Sequence, residues 1–190
     1  MKSAFWTVSF LILTIAASAQ HKYEREVRVR EQEVPASARQ MLEQLNPDSK
    51  TKWYKEYGKD QISFEAKTTK AGKKISIEFS ADGAFEDIET TIKTQEVPDA
   101  VLQPIQAMLQ QTFTKYRIDK IQVQHGGTVD AVIGFVRSQI TSPELVVHYE
   151  LVVSAKEQGA YGMFEYLFDA RGTFVQRQKI MLSNTENLEN

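Results

Sequence analysis

The chain has 190 residues and no cysteine, with 23 Lys and Arg against 25 Asp and Glu and a formal charge of −2 at pH 7. That length suits one ordinary domain or two small ones. The missing cysteine excludes disulfides, thiol nucleophiles and a lipid-modified anchor, and the balanced charge argues against affinity for nucleic acid or an anionic membrane.

Residues 1–19 read as a secretory signal peptide. Lys2 gives a positive start, an apolar stretch runs from about Ala4 to Ala17, and Ala-Ser-Ala supplies the small residues of a cleavage site before Gln20. The run is too short for a membrane span. Removing it takes away Lys2 and leaves a formal charge of −3. The expected destination is a bacterial periplasm or the outside, with no membrane insertion after cleavage.

Residues 20–32 form a charged lead that alternates at Val27 and Val29, consistent with an edge strand or a mobile segment. Glu33-Val34-Pro35 then opens a helix, because Pro suits a first turn. Ala38, Met41, Leu42 and Leu45 make its apolar stripe, and Pro47 stops it. Four alternating segments follow as strands: 52–57, 61–69, 73–80 and 84–92. Glu96-Val97-Pro98 opens a second helix with Val101, Ile105, Met108, Leu109 and Thr112 on one side. Pro104 inside it predicts a kink or a late start. Strands are expected again at 119–125, 144–155, 161–170 and 173–182, and residues 183–190 read as a disordered tail. Between the first two of these lies an insertion near 126–143. His-Gly-Gly-Thr suggests a tight hairpin turn leading into an added strand; a helix through Val129, Val132, Ile133 and Val136 is the other reading.

Two short stretches match in register. "FSADGAF" (79–85) and "FDARGTF" (168–174) share Phe, Ala, Gly and Phe. Each is the recipe for a three-residue hairpin ending in a left-handed Gly, which pairs Phe79 with Phe85 and Phe168 with Phe174. Arg171 stands where Asp82 stands, so Asp82 reads as turn chemistry and not as a catalytic or calcium-binding carboxylate.

The expected fold is α+β: two tandem units, 33–94 and 95–182, each a helix packed on a roughly four-stranded antiparallel sheet. Alternation puts Ile62, Phe64, Ala66, Ile75, Ile77 and Phe79 in the first core, and Val147, Tyr149, Leu151, Phe164, Tyr166 and Phe168 in the second. Ser63, Glu65, Lys67, Ser76 and Glu78 point outward. The outward face of the second unit is more apolar: Val146, Val152, Met163 and Leu167 are interrupted by His148, Glu150 and Glu165. Such a patch marks an interface, unless the segment 129–135 covers it. Trp53, Tyr54 and Tyr57 add amphipathic anchors, with packing of Trp53 and Tyr57 in the first core as the alternative.

No motif for catalysis emerges. The three histidines lack metal-ligand spacing, although His125 and His148 would meet if they shared neighbouring positions on adjacent strands. The expectation is no catalytic residue, no metal and no cofactor.

A helix opening at Val-Pro, a strand with Tyr/Phe-Glu-aliphatic, and a strand ending Phe-x-x-x-Gly together resemble the PepSY-like family, the β-lactamase-inhibitor-like secreted proteins, over almost the whole mature chain as two tandem units. The resemblance implies two helix-plus-sheet repeats whose curved sheet grips another protein. It also implies a non-enzymatic binding module for an extracytoplasmic protein or peptide, with peptidase inhibition as one form. The insertion and the missing disulfides depart from that pattern. The alternative is an envelope assembly protein that forms a homodimer through the apolar outer face of the second unit.

Overall fold

The computed structural model describes residues 20–22, 25–58, 61–157 and 159–181. The expected signal peptide and C-terminal tail lie outside the described residues. The elements are β1 (Gln20–Lys22), β2 (Arg25–Val29), α1 (Ala36–Leu45), β3 (Lys52–Tyr57), β4 (Ile62–Lys70), β5 (Lys73–Ser80), β6 (Phe85–Ile92), α2 (Asp99–Thr112), β7 (Tyr116–Gly127), α3 (Val129–Ser138), β8 (Leu145–Glu157), β9 (Ala160–Asp169) and β10 (Phe174–Ile180).

These strands correct the expected fold. They do not divide into two helix-on-sheet units. They form one ten-stranded sheet in the order β1-β10-β9-β8-β7-β6-β5-β4-β3-β2. Every neighbouring pair is antiparallel except β1 with β10. The join is β6 with β7, paired continuously from Asp87↔Gly126 to Ile92↔Ile121. Two separate sheets would each expose an unpaired edge there, with backbone groups left without partners. The chain is predominantly β, with three α-helices among the described residues.

The charged lead supplies both outermost strands, β1 at one edge and β2 at the other. Lys22 and Arg25 are three residues apart, so their Cα atoms lie within roughly 11 Å of each other. Ten strands laid flat would span about 43 Å. The sheet therefore curls strongly, bringing its edges towards each other as in a barrel. One face becomes an outer surface and the other turns inward.

The helices cover the outer face. α1 packs with Trp53, Phe64, Ala66, Ile75, Ile77, Phe79 and Ile88. α2 packs with Ile121, Tyr149, Leu151, Val153, Phe164, Tyr166 and Phe168. Each large side chain buried in this way stabilises by about 1.5–3 kcal/mol. Of the expected core residues, Ile62 at the start of β4 remains 39% exposed. α2 begins directly after Pro98 and carries Pro104 within it, so the late start does not occur.

The insertion forms a helix, not the added strand of the first reading. Gly126 and Gly127 end β7, opposite Val146 and Leu145, instead of making a hairpin turn. Thr128 then caps α3, its hydroxyl accepting from the Ala131 amide. Val132 and Ile133 are buried in the first core, on the α1 side of the sheet. The insertion thus leaves the other face of the second half uncovered.

The two hairpins have the expected pairings, Phe79↔Phe85 and Phe168↔Phe174. Gly83 and Gly172 have φ of +82° and +78°, and each tip sits tightly under the start of a helix. A Cβ on Gly83 would fall 2.5 Å from Pro35 Cβ, and one on Gly172 would fall 2.4 Å from the Val101 carbonyl oxygen. Asp82 Oδ1 accepts from the Ser80 hydroxyl at 2.5 Å, while Asp169 Oδ1 accepts from the Arg171 and Thr173 amides. Both are turn contacts.

Candidate functional site: a charge-sorted cleft inside the curled sheet

The inward face encloses a cleft of about 570 Å³ lined from Glu26 on β2 to Gln178 and Ile180 on β10. Period-2 alternation explains its chemistry: the main apolar sets point at the helices and the polar sets point inward, joined in the second half by Val152, Leu167 and Ile180. The positions expected to face solvent thus face one another.

Acids dominate one part. Glu65, Glu78 and Asp87 stand directly opposite one another on β4, β5 and β6, and Glu26 stands opposite Glu56. Like charges in such pairs are destabilising. Burial, followed by the charges of Glu56, Glu65, Glu89 and Asp87, pushes the Glu78 carboxyl up to about 11, so it keeps its proton at neutral pH.

Glu65 is buried, with 4% exposure. Lys67 answers it: Nζ lies 2.8 Å from Glu65 Oε2 and 2.6 Å from Glu26 Oε2, and 4.7 Å from the centre of the Tyr54 ring. Burial alone would lower the Lys67 pKa, but the two carboxylates outweigh it and hold the ammonium above its ordinary range. Oxygens of Glu26, Glu56 and Glu65 lie within 4.8 Å of one another, the spacing of a cation site. The Lys67 ammonium already bridges two of the three, so a metal would have to displace it.

Gln122 is 2% exposed. Its Nε2 donates to Glu89 Oε2 at 2.6 Å, while its Oε1 is buried without a hydrogen-bond partner. An unmet buried acceptor costs about 1–3 kcal/mol, so this atom is suited to a donor brought by a ligand.

Lysines gather at one mouth. A recess of about 360 Å³ is lined by Lys50, Lys52, Lys67, Lys74 and Lys120 together with Ser and Thr hydroxyls, and no acid lines it. Lys67, Lys120 and Gln122 line both recess and cleft, so the two adjoin.

The anchor residues expected from sequence separate. Trp53 is a correction: it is 3% exposed, in the first core, with its ring 5.8 Å from Phe79. Odd positions of β3 face the helices, so Tyr57 shares that side, half-buried beneath Arg25 and Lys55. Tyr54 faces inward. Val152, Glu165 and Leu167 line the cleft. Val146 is 45% exposed and His148 half-buried on the same face. Met163 lies further along, in a separate pocket with Tyr116 and Tyr161.

His125 and His148 do not come together. His148 pairs with Gln124, whereas His125 faces the helices and stacks on Phe135 at 4.5 Å. Burial lowers the His125 pKa.

Sequence reasoning missed Gln122 and the lysine mouth. The available signal was like charge recurring at inward positions of consecutive strands: Glu65, Glu78 and Asp87, then Lys52 beside Lys67.

No family model and no curated protein matches the chain. Among solved structures, a crystal structure of a Bacteroides eggerthii DSM 20697 protein with a provisional periplasmic assignment is similar. It has a TM-score of 0.50 and 17% identity, over 77% of this chain and 88% of that one. At that identity the likeness speaks for the fold. Among the described residues no helix is long and apolar enough to cross a membrane.

Proposed function

We propose that this protein is an exported, non-enzymatic binding module that takes a segment of another protein or a peptide into the cleft of its curled sheet. The periplasmic assignment of the similar Bacteroides protein supports an extracytoplasmic location. The PepSY-like, β-lactamase-inhibitor-like resemblance belongs to this proposal, with peptidase inhibition as its finer form. The observation that carries the reading is the combination of a 570 Å³ cleft with the buried, unmet Gln122 Oε1 inside it. A surface held with like charges opposed and an acceptor unsatisfied costs stability, and a ligand that supplies cations and N–H donors recovers it. Val152, Leu167 and Ile180 offer apolar contact beside those charges. They line a concavity, which suits an inserted segment better than the flat face of a second copy.

The test is photo-crosslinking of the chain from Gln20 onward. A benzophenone amino acid replaces Leu167 in the cleft or Ile140 on the exposed exterior. Irradiation in envelope extract is expected to give a protein adduct from the Leu167 position and not from Ile140. Equal labelling from both positions, or none from Leu167, overturns the reading.

A further inference from the structure

Resting on that binding reading, the charge order inside the cleft goes further, to the ligand and its placement. On β4, Lys52 of β3 stands directly opposite Lys67, one row along the inner face from the Glu65–Glu78–Asp87 row. On β3 and β4 a pair of lysines therefore lies beside the acids, and its row continues through Ser76 on β5 to Glu89 on β6. Lys50, Lys52, Lys74 and Lys120 make no ion pair among the described residues. The recess they line with Lys67 holds no carboxylate of its own. Lys67 is engaged by Glu65 and Glu26, so the charge left without a counter-ion there is that of Lys50, Lys52, Lys74 and Lys120.

The separation is set by strand geometry. Glu78 and Lys74 are four residues apart on β5, as are Glu56 and Lys52 on β3. At about 3.3 Å per residue that is roughly 13 Å. An extended peptide places side chains four residues apart at the same spacing and on the same side.

We propose that the cleft binds an extended peptide segment bearing a basic and an acidic side chain four residues apart, the basic one at the Glu65–Glu78–Asp87 row and the acidic one at the lysine mouth. A ligand of one sign is matched at one end only: an acidic one meets the acids and a basic one meets the lysines that lack a counter-ion, whereas a basic side chain beside Glu78 favours its ionised form. The dipolar segment satisfies both, and its backbone N–H groups pass beside Gln122, which lines recess and cleft alike.

Three capped nine-residue peptides in a Ser/Ala background test this: Lys and Glu four apart, Lys and Lys, and Glu and Glu. Isothermal calorimetry at low salt, where screening is weak, is expected to show the Lys/Glu peptide binding at least about ten-fold tighter than either other, a difference of ~1.4 kcal/mol. In the Lys52→Glu, Lys74→Glu double variant the preference is expected to pass to the Lys/Lys peptide, with circular dichroism unchanged. Should that variant not fold, Lys52→Gln with Lys74→Gln is expected to erase the advantage of Lys/Glu over Lys/Lys. Equal binding of all three peptides, tightest binding of Glu/Glu, no binding by any, or an unshifted preference in the variants overturns the proposal. An adduct at Leu167 from a protein whose peptides show no charge preference refutes this placement and leaves the binding reading standing. Loss of both refutes both.

Discussion

Glu65 and Glu78 stand directly opposite each other across β4 and β5, on the inner face, Glu65 buried and Glu78 half-buried. The two acids are handled differently. Glu65 is answered by the Lys67 ammonium at 2.8 Å, whereas Glu78 keeps its proton.

Glu78→Gln is expected to stabilise the protein increasingly as pH rises. The unfolded carboxyl ionises near 4.5 and the folded one near 11. Between those values the folded chain holds the extra proton, so the stability due to this position falls with rising pH. Below about pH 4.5 both states are protonated and the effect vanishes. Thermal melts of the two proteins at pH 5 and pH 8 check it: the variant should gain on the native protein by more at pH 8. A gain independent of pH would contradict the assignment.

Lys67→Met should destabilise by about 1–3 kcal/mol, because it leaves Glu65 buried without its cation. The Lys67 side chain is 39% exposed, which keeps the loss below that of a fully buried pair. Adding Glu65→Gln should recover most of the loss. Urea denaturation of the two single variants and the double closes the cycle; simple additivity would show that the pair is not coupled.

At the first hairpin, Asp82→Asn should change stability by no more than about 0.5 kcal/mol, since the carboxylate serves an exposed turn. Gly83→Val combines positive φ with a clash against Pro35 and should cost about 2–4 kcal/mol. Phe79→Ala empties a fully buried position and should cost about 3–5 kcal/mol. Thermal melts of the three variants test the order, in which Asp82 is the mildest.

His125 should make the protein less stable in mild acid. Burial holds its folded pKa below the usual 6.5. As pH falls below that value the unfolded chain takes up the extra proton, so stability declines until the folded pKa is reached. His125→Gln should remove this part of the decline between pH 7.5 and 5.5, read as the shift in urea midpoint. An identical shift in variant and native protein would assign the loss elsewhere.

Much of this was legible locally. The stripe at Ala38, Met41, Leu42 and Leu45 gave α1, and the alternation Phe64, Ala66 against Glu65, Lys67 gave β4 and its two faces. The Phe-x-x-x-Gly stretches gave both hairpins and their pairings. For the insertion, a Gly-Gly signal favoured a hairpin, but the Thr128 cap and the burial of Val132 and Ile133 under α1 won. Trp53 could be read as a surface anchor or as part of the first core, and burial against Phe79 decided for the core.

The sequence by itself determined which side chains share a face, because that depends on the two-residue period of a strand and needs no knowledge of neighbours. Only the tertiary structure decided that β6 pairs with β7 and that the lead supplies both edges, which curls the sheet. Strand partners far apart in sequence are chosen by edge satisfaction and packing, which no local period encodes. That curl turned Glu65, Glu78, Asp87 and Gln122 from an outer surface into the wall of a cleft.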